Sequence, residues 1–213
     1  MAKKESYRCS ECGWLSAKWQ GQCRQCQAWG TLAEVGSSAG LAKTAVRTPI
    51  QAAQPISQVS AESAQARPSG VGELDRVLGG GIVPGAVILL AGEPGVGKST
   101  LLLTVAANAA RQAKLTGAGS VLYITGEESA SQVRLRAARI DALADNLLLA
   151  AETELGAVLG QVEQANPALL IVDSVQTIAS ADVEGSAGGT SQVRAVAASI
   201  IALAKERNIP VLL

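Results

Sequence analysis

The sequence predicts an α/β domain built on a mostly parallel sheet, preceded by a small module of different construction. Three observations carry this. From Gly70 onward, short continuous apolar runs alternate with helical stretches, the pattern of strands buried on both faces and joined by crossovers. All four cysteines and four of the five aromatic side chains (Tyr7, Trp14, Trp19 and Trp29, against Tyr123) lie in the first thirty positions. Between these regions, residues 36–69 are rich in Ala, Ser, Gln and Pro, hold no sustained period, and are broken by Pro49, Pro55 and Pro68. The boundaries follow: a four-Cys module over 1–35, a flexible linker over 36–69, and the α/β core over 70–213.

The core elements read in order. Residues 86–91, AVILLA, form an apolar run ending in a Gly-rich turn. Lys98–Lys114 has helix composition, SVLYIT (120–125) is rich in strand formers, and Ala130–Ile140 is helical with Arg134, Arg136 and Arg139 upon it. LLLA (147–150) is a short strand, Thr153–Asn166 a helix, Ala168–Asp173 a strand, and Thr190–Asn208 a helix. IPVLL (209–213) begins a further strand and stops inside it, so the sequence reads as cut short at that end.

Composition narrows the function. The chain has 213 residues, 48% hydrophobic and 17% charged, with mean hydropathy +0.24. It can bury a core and is not a disordered or collagen-like chain. Lys+Arg and Asp+Glu are both 18, so no global basic field draws it onto nucleic acid or anionic membrane. By segment, the module is +2, the linker +2 and the core −4. With no His, imidazole catalysis and His metal ligation are excluded. No apolar run approaches the roughly eighteen residues of a membrane span, and the first residues, Met-Ala-Lys-Lys-Glu-Ser, lead into no apolar signal segment. The chain reads as cytoplasmic.

The cysteines fall as Cys9-x2-Cys12-x10-Cys23-x2-Cys26. Two CxxC turns can bring four thiolates to tetrahedral positions about 2.3 Å from one Zn²⁺. Some thirty residues cannot bury enough core to fold alone, so metal ligation supplies the folding energy. Two disulfides are disfavoured in a reducing compartment, and a redox CxxC would open a helix beside a βαβ unit. Four cysteines leave no open coordination position, so the zinc is structural. The tryptophans are expected to pack around it.

Gly92-Glu93-Pro94-Gly95-Val96-Gly97-Lys98-Ser99 fits GxxxxGK(S/T), with an apolar strand before and a helix after. Glycines there let backbone N–H groups approach phosphates. Lys98 would reach the β and γ oxygens, Ser99 would sit on Mg²⁺, and Thr100 follows at the helix start. Leu169-Leu170-Ile171-Val172-Asp173 supplies four apolar residues and then a carboxylate at a strand's C-terminal end, where ligands gather in such sheets. Asp173 would position Mg²⁺ or its water. Water attack needs a base; VLYIT ends in Gly126-Glu127-Glu128, and Glu127 is the candidate, with Glu128 in reserve.

These pieces together (CSECG…CRQC, PSGVGELDRVLGGGIVPGAVILLAGEPGVGKSTLL, YITGEES, LLIVDSVQT and GTSQVR) resemble the bacterial RadA (Sms) family of DNA-repair proteins, in the RecA-like ATPase superfamily, across essentially the whole chain save the linker. The resemblance implies a RecA-like P-loop core that hydrolyses ATP with Mg²⁺, and a ring-forming, DnaB-like assembly, a hexamer. It further implies binding of single-stranded DNA and branch migration of recombination intermediates alongside RecA. On that pattern Gly92 to Ser99 hold the nucleotide, Glu127 is the catalytic glutamate, Asp173 the Walker-B acid, and Cys9, Cys12, Cys23 and Cys26 the zinc ligands. The family's Lys-Asn-Arg-Phe-Gly motif and Lon-protease-like domain have no counterpart in this sequence, which lacks Phe; it resembles the N-terminal part of the family's members.

Where DNA would touch is less evident from composition. Residues 180–189 are Gly- and Ser-rich but carry Asp182 and Glu184; Gln192 and Arg194 follow as candidate contacts to phosphate or a neighbouring subunit. Arg134, Arg136 and Arg139 form the core's only basic cluster. Two classes of function follow. One is a DNA-stimulated ATPase motor of recombination. The other is a nucleotide-switched binding module whose zinc ribbon recruits a protein and whose slow hydrolysis ignores DNA.

Overall fold

A computed structural model of the chain describes residues 7–34, 53–59, 61 and 64–213. The chain divides into two compact units, with the break after Ser57, inside the stretch read as linker. Most of that stretch lies outside the described residues.

The first unit is an antiparallel three-stranded ribbon: β1 (Tyr7–Cys9), β2 (Leu15–Ser16) and β3 (Leu32–Glu34), in the order β2-β1-β3. Its interior is minimal. Cys9, Cys23 and Leu32 are buried, with Tyr7 and Trp14 packed against them. That is too little apolar surface to order such a chain alone. The expectation for tryptophan holds for Trp14 only. Trp19 and Trp29 are 64% and 75% exposed, because the space beside the sulfurs is already filled.

The second unit has a five-stranded, wholly parallel sheet: β4 (Val87–Ile88), β5 (Val121–Thr125), β6 (Leu147–Ala151), β7 (Leu169–Asp173) and β8 (Val211–Leu212), in the order β4-β8-β7-β5-β6. Its helices are α1 (Gly72–Val77), α2 (Lys98–Thr116), α3 (Ala130–Arg139), α4 (Leu155–Ala165) and α5 (Thr190–Arg207). Strand parity sorts the core into two layers. Val121, Tyr123, Leu169 and Ile171 face Leu102, Leu103, Ala106 and Ala110 of α2. Leu122, Ile124, Leu170 and Val172 face Val158 and Val162 of α4 and Val196 and Ile200 of α5. The central strands are therefore buried on both faces and dominated by apolar residues up to their polar last positions, Thr125 and Asp173, as their sequences suggested.

Local chemistry sets the ends. Ser129 and Gln132 close a capping box on α3, and Gly117 and Asn208 take left-handed conformations after α2 and α5. Two features depart from the sequence reading. Helix α1 was not anticipated, and the 86–91 run forms only a two-residue edge strand, paired on one side by β8, with Leu89 67% exposed. The last linker residues are also anchored: Arg67 and Ile82 exchange two backbone hydrogen bonds at 2.9 and 2.7 Å, and Ser69 is buried, its N–H donating to Asp75 Oδ1 at 2.7 Å. No helix among the described residues is long and apolar enough to cross a membrane.

Candidate nucleotide site and metal ribbon

The ribbon gathers its cysteines through two turns of the same design. Gly13 N–H donates to Cys9 O and Gln27 N–H to Cys23 O, at 3.0 and 2.9 Å, and both residues have positive φ (76° and 57°). Backbone folded this way turns each CxxC pair inward. The four sulfurs lie within 4.8 Å of one another, with Cys9 to Cys26 at 3.7 Å and Cys12 to Cys23 at 3.6 Å. Four thiolates about 2.3 Å from a tetrahedral zinc would be about 3.8 Å apart, so the cradle fits that ion. The charges also ask for a cation. Cys9 and the Thr31 hydroxyl are 3.2 Å apart; that hydroxyl first, then the Cys12 backbone, favours the thiolate and holds Cys9 down at about 6. At Cys26 the Ala28 backbone acts in the same sense but is outweighed by burial and the neighbouring sulfurs, so its thiol is held up at about 12. Four sulfurs this close do not all ionise without a cation between them.

In the second unit, parallel strands bring β4, β5 and β7 to one edge of the sheet with their C-terminal ends together. After β4 the chain forms an exposed loop, Gly92 to Gly97, which runs into α2. Gly95 and Gly97 sit at φ +82° and +96°, and Gly97 is the left-handed cap from which α2 departs. That conformation turns the first N–H groups of the helix back over the loop. Lys98 folds over it as well: its Nζ donates to Gly92 O at 2.8 Å and to Glu93 O at 2.9 Å. An ammonium thus spans the loop's mouth, held by carbonyls that phosphate oxygens would replace. Ser99 is half-buried in the first turn of α2, and Thr100 beside it is exposed.

The two strand ends carry the acids. Asp173 and Thr125 close β7 and β5 in register. By parity Asp173 shares the sheet face of Leu169 and Ile171, the face that α2 covers, so its carboxylate lies on the side of the phosphate-loop helix. Tyr123, two positions back along the neighbouring strand and 1% exposed, donates its hydroxyl to Asp173 Oδ2 at 2.7 Å. Burial first, and then the bond to Asp173 and its charge, push the tyrosine's pKa far up. Ser99 and Asp173 together offer a hydroxyl and a carboxylate, the hard oxygen donors that suit Mg²⁺.

Beyond β5, Glu127 and Glu128 part company. Glu128 is ion-paired to Arg136 in the second turn of α3. Its backbone N–H and C=O are both bonded to the Thr125 hydroxyl at 3.2 Å. Glu127 is exposed, and among the described residues it makes no ion pair; its Oε1 accepts a hydrogen bond from Ser174 Oγ at 2.8 Å. Of the two candidate bases, Glu127 is the free one.

Two expected contacts are corrected. Arg136 belongs to the ion pair with Glu128, so the basic cluster on α3 reduces to Arg134 and Arg139. Gln192 is 1% exposed and staples the preceding loop. It accepts from Ser180 N–H at 2.8 Å and donates to Ser180 O at 3.1 Å and to the carbonyls of Val183 and Gly185. It has nothing left for a phosphate, while Arg194 stays exposed. Tyr123 and Ser174 were missed. The place of Ser174 next to Asp173 was a visible signal; the bond from Tyr123 spans fifty residues and was not.

A phosphate loop after an edge strand, with an acid at the end of a central parallel strand, defines a nucleotide-binding α/β domain, here carrying a four-Cys zinc ribbon. Residues 52–213 match the AAA domain family, and the chain belongs to that family. Residues 7–34 match the rubredoxin metal binding domain. Among curated relatives, the chain is 49% identical over 214 residues to the DNA repair protein RadA of Mycobacterium tuberculosis (strain ATCC 25618 / H37Rv), covering 99% of this chain and 44% of that protein. It is 42% identical to the DNA repair protein RadA of Aquifex aeolicus (97% of this chain, 45% of that one) and 42% identical to that of Listeria monocytogenes (95% and 44%). The chain thus spans less than half the length of these relatives.

Proposed function

We propose that the chain is the nucleotide-hydrolysing part of a DNA-repair ATPase that works on single-stranded DNA and branched recombination intermediates, alongside RecA and as a hexameric ring. The reading rests on one observation above the others: the ammonium of Lys98 closes the phosphate loop at the sheet edge where Asp173 ends β7 and Glu127 follows two residues after the end of β5. The similarity to DNA repair proteins named RadA supplies the biological setting.

Each residue has a task. The loop from Gly92 to Gly97 wraps the phosphates, and Lys98 leaves its two carbonyls to neutralise charge developing on the γ-phosphoryl group. Thr100 extends the N-terminal turn that faces the phosphates. Ser99 and Asp173 hold Mg²⁺, which when bound supplies further charge neutralisation at the phosphate oxygens. Tyr123 keeps Asp173 pointed at that place. Glu127 orients the attacking water and accepts its proton. Cys9, Cys12, Cys23 and Cys26 hold structural Zn²⁺, which folds the ribbon and takes no part in the reaction.

A second reading, the nucleotide-switched module with slow DNA-independent hydrolysis, is favoured by the core's net charge of −4 and by the commitment of Gln192 and Arg136 to internal bonds. Hydrolysis of ATP against a titration of single-stranded DNA separates the two, measured on this chain and on the full reading frame that contains it. The motor predicts a DNA-dependent rise that Lys98→Ala removes while zinc stays bound. A rate flat to DNA in both proteins refutes it and leaves the switch.

A further inference from the structure

Glu127 sits just past Gly126, on exposed backbone beyond the end of β5. A carboxylate on such a tether samples several rotamers, and only a fixed one aims water at a phosphorus atom. The structure offers one group that fixes it. Ser174 Oγ donates to Glu127 Oε1 at 2.8 Å, leaving the second oxygen for a water. The serine is itself held on both sides. On one side, Gly126 N–H donates to Asp173 O at 3.0 Å, extending the β5–β7 ladder to the residue before the serine. On the other, Thr177 bonds to Ser174 O through its hydroxyl at 2.8 Å and its N–H at 3.2 Å. Thr177 in turn lies so close to Gly126 that a Cβ there would fall 2.0 Å from its hydroxyl oxygen. The turn 174–177 is therefore pressed onto the chain that presents the glutamate, and the backbone that carries the serine hydroxyl is held beside it.

We propose that Ser174 is a positioning residue for Glu127, which makes the residue following the Mg²⁺ acid the one that aims the water base. Asp173 and Glu127 are then linked through a single peptide unit, so that what settles at Asp173 is felt at Glu127. This rests on the ATPase reading above and adds to it the group that sets the geometry of the attack.

The test is steady-state ATP hydrolysis by the full reading frame carrying Ser174→Ala. We expect kcat to fall about tenfold, with KM for ATP and the Kd of a fluorescent ATP analogue within about twofold of wild type. Ser174→Thr, which keeps the hydroxyl, should bring kcat back to within about threefold. In a Glu127→Asp background, whose shorter carboxylate loses the bond, adding Ser174→Ala should cost less than about twofold, because a group that acts through Glu127 has nothing left to aim. A Lys98-dependent hydrolysis with kcat unchanged by Ser174→Ala overturns the positioning role alone. So does a tenfold loss that persists in the Glu127→Asp background, or a loss confined to KM. A wild-type protein that hydrolyses no ATP, or does so regardless of Lys98→Ala, overturns the ATPase reading itself.

Discussion

Tyr123→Phe removes a single oxygen from the core. The ring is 1% exposed between α2 and the sheet, so Phe fills the same space and packing is preserved. What is lost is the hydroxyl's 2.7 Å bond to Asp173 Oδ2. A hydrogen bond to a charged group contributes about 1.5–3 kcal/mol, so the variant should be about 2 kcal/mol less stable near neutral pH, a fall in Tm of roughly 4–8 °C for a domain of this size. The pH dependence is the sharper test. Burial and Asp173 hold the tyrosine's pKa well above its ordinary 10.0, so the folded chain keeps a proton that the unfolded chain releases. The stability contributed by this group is complete below about pH 10 and is lost above it, by about 1.4 kcal/mol per pH unit. Phe has no such proton. The wild-type advantage should be level from about pH 7 to 9 and smaller by about 1.4 kcal/mol at about pH 11. Urea unfolding followed by far-ultraviolet circular dichroism, which reports mainly on the core helices, measures both. A variant as stable as wild type near neutral pH would show that the hydroxyl makes no desolvated bond. A difference unchanged at about pH 11 would refute the raised pKa.

Further outcomes follow from the same geometry. Glu127→Gln should lower ATP hydrolysis about a hundredfold or more with nucleotide affinity kept, whereas Glu128→Gln should act chiefly on stability, by about 1 kcal/mol, through its half-buried pairing with Arg136; paired ATPase and denaturation curves distinguish them. Gly126→Ala places a Cβ 2.0 Å from Thr177 Oγ1 and 2.8 Å from Thr177 Cβ. The turn must move, at about 1–3 kcal/mol in the denaturation midpoint, and kcat should fall with it. Cys26→Ser should abolish stoichiometric zinc, read by elemental analysis, while the affinity for ATP stays the same, since the ribbon and the core are separate compact units.

Much of the site was legible because its parts are contiguous. The phosphate loop, the paired CxxC turns, the acid closing β7 and the acids just past β5 each depend on neighbours within about eight residues, and spacing alone exposes them. What escaped depends on pairing order. Sequence placed β8 last but could not show that it slots between β4 and β7, nor that β5 and β7 lie in a register that sets Tyr123 two positions from Asp173. Gln192 read as a solvent-facing helix start because nothing local reveals that the 180–185 carbonyls turn back onto it. The tryptophans were assigned to the ribbon interior by hydrophobicity. With so few residues, the sulfurs and Leu32 already occupy that interior, and two of the three stay outside.

The crowding of aromatics into the ribbon has an optical consequence. Trp14, Trp19 and Trp29 are the chain's only tryptophans, and the core's only aromatic residue is Tyr123. Excited at the red edge of its absorption, the protein emits from the ribbon and the core stays dark. Trp14, packed by the sulfurs, should report release of zinc by a red-shifted spectrum, against the constant background of Trp19 and Trp29 already in water. A change in that emission on adding ATP would then signal that the ribbon and the core communicate, without any label having been attached.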